Sequence, residues 1–90
     1  RPISRIGAAC GSAGELLASA ARAGCECFIT GEARFHTALE AEARGLSLIL
    51  TGHYASERFG VEALATLLTA ALPNVAVRPS RCERDPLRRV

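Results

Sequence analysis

Apolar and polar positions along the chain change period repeatedly, and each change marks an element. Ser4 to Ala9 forms a short extended run. From Ala13 to Ala23, Leu16, Leu17, Ala20 and Ala23 fall at helical spacing, and Gly24 ends the stretch. Glu26 to Thr30 holds Cys27, Phe28 and Ile29 in a compact apolar run, after which Phe35, Ala38, Leu39 and Ala43 share a helical face that stops at Gly45. Leu46 to Leu50 is again short and apolar. Ser56 to Leu72 is the longest helical stretch, with Val61, Leu64, Leu68, Ala71 and Leu72 on one stripe and Pro73 as its stop. Asn74 to Arg78 is expected to add a last strand. The order βαβαβαβ, with short, nearly all-apolar strands alternating with amphipathic helices, predicts a mainly parallel sheet in a three-layer α/β/α sandwich. Pro79 allows the last strand to be antiparallel or at an edge.

Ninety residues make one α/β domain, 1–90. The chain has no methionine and runs from Arg-Pro-Ile-Ser straight into a strand, which favours a piece of a longer protein. Aromatics are only 4% of residues, so the interior must be built from Leu, Ile, Val and Ala. No apolar run approaches the roughly 20 residues that span a bilayer, so no membrane partner is expected. The net charge of +2 is too small an excess to argue for nucleic acid. Arginines 78, 81, 84, 88 and 89 alternate with acidic residues and prolines and read as a solvated tail. Cys10, Cys25, Cys27 and Cys82 include no C-x-x-C pair and have no nearby histidine, which favours free thiols in a reducing cytoplasm.

All three strand-to-helix junctions are built alike: Cys10-Gly11-Ser12, Thr30-Gly31-Glu32 and Thr51-Gly52-His53. Parallel strands end along one edge of an α/β sheet, where ligands bind, so Ser12, Glu32 and His53 should be displayed together. At the first junction Ser12 and Glu15 form S-x-x-E, preferred here as a capping box over a phosphate cradle. At the third, His53 and Glu57 lie four residues apart at the mouth of a helix. An imidazole and a carboxylate so placed suit zinc, manganese, iron or cobalt. The competing reading is a capped helix whose dipole favours an acid in its first turn. Glu32 and His36 repeat the spacing, either as a surface pair or as part of a site.

Taken in order, Ala-Ala-Cys-Gly-Ser-Ala-Gly, Ile-Thr-Gly-Glu-Ala-Arg-Phe-His and Gly-His-Tyr-Ala-Ser-Glu resemble the C-terminal half of the Nif-three-like dinuclear metal-centre family, often described as GTP cyclohydrolase type 2. The resemblance implies that His53 and Glu57 are metal ligands for a pair of divalent ions, with Glu57 touching both. It implies that Glu32 and His36 line the same pocket and serve the chemistry, although the family more often has Asp at position 32. It further implies that the other ligands, two histidines and an acid, reside in an N-terminal half outside these residues, and that the protein is a homo-hexamer. The expected activity is metal-dependent hydrolysis of a small molecule, a phosphoester or a purine-ring carbon. The alternative is a metal-binding structural or regulatory protein without turnover.

Overall fold

The computed structural model describes residues 2–88. β1 (Ile6–Ser12) leads through a single 3-10 turn (Gly14–Leu16) into α1 (Leu17–Arg22). β2 (Cys27–Glu32), α2 (Phe35–Ala43), β3 (Ser47–Leu50) and α3 (His53–Ala71) follow. The strands form one parallel sheet in the order β1-β2-β3, with Ile6 opposite Cys27 and Cys27 opposite Ser47. The mixed α/β architecture with a parallel sheet is the one the alternation of periods predicts.

Alternate residues of a strand face opposite sides of its sheet. On one side Phe28 of β2 meets Leu17 and Ala20 of α1 and Ala41 of α2, with Ala13 and Leu46 completing the core. Leu17 is fully buried. On the other side Ala8, Cys10 and Ile29 face Ala55 and Phe59 of α3 across an apolar cleft. The third layer therefore touches the sheet chiefly through the first turns of α3. Farther along, the apolar stripe is uncovered: Leu64 is 55% exposed and Leu72 45%. Among the described residues no helix is long and apolar enough to cross a membrane.

Two local expectations are corrected. Residues 74–78 form no strand: after the turn in which Val75 N–H donates to Leu72 O, the chain runs along α3, where Val77 and Pro79 face Ala65 and Thr69. Packing on the helix takes the place of a sheet neighbour, so the order is βαβαβα. Ser12 caps no helix, because it is the last residue of β1, paired with Glu32, and Ala13 precedes the 3-10 turn without a side-chain cap. In the C-terminal cluster, Arg58 of α3 holds Glu83 at 2.6 Å and the Ser80 carbonyl at 2.6 Å, so part of that segment is docked. Arg89 lies outside the described residues.

Candidate metal centre

The three junctions meet at the carboxyl edge of the sheet with almost no side-chain volume between them. A Cβ on Gly31 would fall 2.5 Å from the Gly11 carbonyl oxygen, 2.6 Å from Ser56 Oγ and 3.1 Å from His53 Cα. Only glycine permits that approach. Thr30, buried beneath, donates its hydroxyl to Gly11 O at 3.2 Å and accepts from Ala13 N–H at 3.3 Å. Gly52, at φ 95°, turns the chain sharply enough for α3 to begin at the next residue. Its N–H donates to Gly31 O at 2.7 Å. Ser56 then ties the first junction to the third: its hydroxyl accepts from Gly11 N–H at 3.1 Å and donates to His53 O at 2.8 Å.

This frame fixes His53 between two carboxylates. Nδ1 lies 2.7 Å from Glu32 Oε1, and Nε2 lies 3.2 Å from Glu57 Oε1. All three side chains remain about half exposed. The hydrogen bond to Glu32, and next the negative charge of Glu57, raise the imidazole pKa above its ordinary value against a smaller opposing effect of desolvation. A backbone-close rim completes the corner, since a Cβ on Gly11 would lie 2.9 Å from Glu57 Oε1 and 3.5 Å from His53 Nε2.

The donor set fits a cation in part. With Nδ1–H assigned to Glu32, the Nε2 lone pair and Glu57 Oε1 face one space at the separation of two donors sharing an ion. Holding the second imidazole nitrogen on a carboxylate is the common way to orient a metal-binding histidine. Yet among the described residues no group of three or more His, Cys, Asp or Glu side chains is arranged to hold a metal. A stable site wants more protein donors than these two.

His53, Glu57 and Glu32 are thus brought together as the sequence suggested. His36 is not: it lines a separate cavity with Ser12 and Arg34, and Glu32 pairs with His53 instead of with His36. Ser56 carries no site role in the sequence pattern, because its bond to Gly11 spans 45 positions, a separation that carries no local signal.

A family model described as Duf34/NIF3 (NGG1p interacting factor 3) matches residues 1–86. The chain belongs to the DUF34/NIF3 family. A GTP cyclohydrolase 1 type 2 homolog of Pseudomonas aeruginosa is 40% identical over 68 residues, covering 76% of this chain and 27% of the relative. The Escherichia coli K12 protein of the same name is 38% identical over 66 residues, covering 73% and 27%. This NIF3-family chain therefore spans about a quarter of the length of the curated relatives it matches. Among solved structures, Staphylococcus aureus protein SA1388 superposes with a TM-score of 0.84 at 33% identity, covering 98% of this chain and 30% of that one. A Bacillus cereus protein related to NIF3 shares the fold, with a TM-score of 0.77 at 24% identity over 94% of this chain and 24% of its own.

Proposed function

We propose that the full-length NIF3-family protein is a cytoplasmic, dinuclear metal-dependent hydrolase to which this chain contributes His53 and Glu57. The observation that carries the proposal is the pair of donors 3.2 Å apart, one of them held from behind by Glu32 at 2.7 Å. Two divalent ions, zinc, manganese, iron or cobalt, would supply Lewis acidity and a water acidified for attack. Glu32 keeps the imidazole turned so that Nε2 faces the metal corner. Glu57, from the first turns of α3, brings the carboxylate to the same space. Glu32 also stands ready to take a proton from Nδ1 or from a group beside it, and His36 serves substrate from the adjoining cavity. The name carried by the relatives supports a purine-ring carbon or a phosphoester as the target.

The missing donors fit an N-terminal half, given the quarter of the relatives' length that the chain spans. Its surface supports such a partner. The chain exposes 6929 Å², whereas a folded monomer of its mass exposes about 5,000 Å². Its radius of gyration is 16.6 Å, against roughly 12 Å for a compact domain of this length. The excess suits burial against the other half of the protein and against further copies in a hexamer. A second reading, a metal-binding protein acting through its assembly without turnover, draws on the family's description as an interacting factor.

Elemental analysis of the full-length protein, wild type against His53→Ala and Glu57→Gln, tests the site. Both variants are expected to lose most of the bound metal and the hydrolysis of GTP or phosphate monoesters. Unchanged metal content in both removes the assignment. Metal retained by the wild type without turnover of any such substrate favours the second reading.

A further inference from the structure

The carboxyl edge has a second opening. On the side of α1 and α2, a cavity of about 440 Å³ lies between the 3-10 turn and the start of α2, within the size range of small-molecule sites. Its polar lining is Ser12, Glu15, Arg34, His36, Thr37 and Glu40.

Thr37 is the informative member. It is 5% exposed, yet among the described residues its hydroxyl makes no bond to the preceding turn of its helix of the kind that Thr66 and Thr69 make in α3. No fully enclosed side-chain nitrogen or oxygen among them lacks a partner, so this hydroxyl opens on the cavity it lines. Its donor and its lone pairs are therefore available to whatever occupies that cavity. Gly14 keeps the approach clear: a Cβ there would sit 3.0 Å from Thr37 Oγ1.

The start of α2 adds three donors. Arg34 precedes the helix in an extended conformation and places no side-chain cap. The N–H groups of Thr37 and Ala38 bond back to Arg34 O, which leaves the amides of Phe35 and His36 without an acceptor among the described residues. Free first-turn amides at the positive end of the helix dipole favour an anion. Arg34 lines the same cavity, and its guanidinium joins no ion pair among the described residues. Of the two acids present, Glu40 is held by Arg44 at 3.0 Å, and Glu15 is left facing the opening.

We propose that this cavity binds a phosphorylated small molecule. The phosphate sits on the first amides of α2, the Arg34 guanidinium and the Thr37 hydroxyl. Glu15 accepts from hydroxyl or amino groups on the remainder, which sets the ligand's direction. The site rests on the reading above in which His36 serves substrate from this cavity, and it stands on the cavity's own groups, so the phosphate is held apart from the metal corner.

Calorimetric titration of the full-length protein with inorganic phosphate and with ribose 5-phosphate tests it. The wild type is expected to bind both, ribose 5-phosphate more tightly. Arg34→Gln should weaken both at least tenfold, and Thr37→Val or Gly14→Ala about three- to tenfold, while His53→Ala leaves the Arg34-dependent binding in place. Arg34 is exposed, so its variant reports even where a change at buried Thr37 disturbs the helix. Failure of the wild type to bind either probe overturns the proposal. So does equal affinity in Arg34→Gln, or binding abolished by His53→Ala alone, which would put the phosphate at the metal corner.

Discussion

Replacing Gly31 with alanine adds one methyl group at the most crowded point of the molecule. That methyl would stand 2.5 Å from the Gly11 carbonyl oxygen, where real Cβ contacts stay beyond 3.0 Å, so the first and second junctions must part by at least 0.5 Å, the difference between the two. It would also stand 2.6 Å from Ser56 Oγ. Neither neighbour is the tip of a flexible chain: one is backbone, and Ser56 is held on both sides by Gly11 N–H and His53 O. Overpacking of this kind costs about 1–3 kcal/mol, and losing the Gly11–Ser56 hydrogen bond adds about 0.5–1.5 kcal/mol. Together they predict roughly 2–4 kcal/mol of destabilisation, a fall of about 1–2 M in a urea midpoint. Gly60→Ala is the matched control, because a Cβ at Gly60 meets nothing within 4 Å and the position is inside α3. There the same methyl should stabilise by about 0.5–1 kcal/mol through helix propensity. Urea unfolding of the two variants beside wild type decides the matter. If Gly31→Ala is as stable as wild type, or both variants shift the same way, the close packing of the junctions is wrong.

In metal-free protein, the His53 ring should titrate above the ordinary 6.5 by NMR, and Glu32→Gln should bring it back toward that value. Because the folded-state pKa is the raised one, the stabilisation is complete below the unfolded value and disappears as pH rises through the folded value. The stability gap between wild type and Glu32→Gln should therefore close toward alkaline pH; a gap that widens there contradicts the assignment. Arg58→Ala frees Glu83 and the Ser80 carbonyl, and should cost about 1 kcal/mol. Trypsin should then cut after Arg81 and Arg84 faster than in wild type. Leu17→Ala, at a fully buried position against β2, should lower stability by about 2.5–4 kcal/mol in chemical denaturation.

Much of this was legible in the chain because the information was local. The apolar runs around Phe28 and Leu48 and the helical stripe of α3 identify strands and helix wherever their neighbours lie. The i, i+4 spacing of His53 and Glu57 survives because both residues ride on one helix. That helix starts three residues earlier than Ser56, since Gly52 can take a positive φ that pattern alone does not announce. The likeness of the three junctions led to Glu32 beside His53, but Ser12 lines the cavity on the other side of the edge, because β1 carries a register irregularity between Ala9 and Ser12 where Gly11 takes φ 70°. What stayed hidden is non-local. The Ser56 bond to Gly11 and the docking of residues 80–83 on Arg58 depend on chain segments that meet only after folding.

The manner in which α3 is attached has a mechanical result. Its first turn is clamped against the sheet by backbone and a doubly bonded serine, while the rest of its 19 residues leaves the sheet, carries the returning segment on one side and keeps an exposed apolar stripe on another. Such a rod is about 28 Å long, so a tilt of roughly 10° swings its free tip by about 5 Å and moves the histidine at its pivot by a small fraction of that. The far end of the helix can thus take up sizeable displacements while His53 stays in register with the sheet edge.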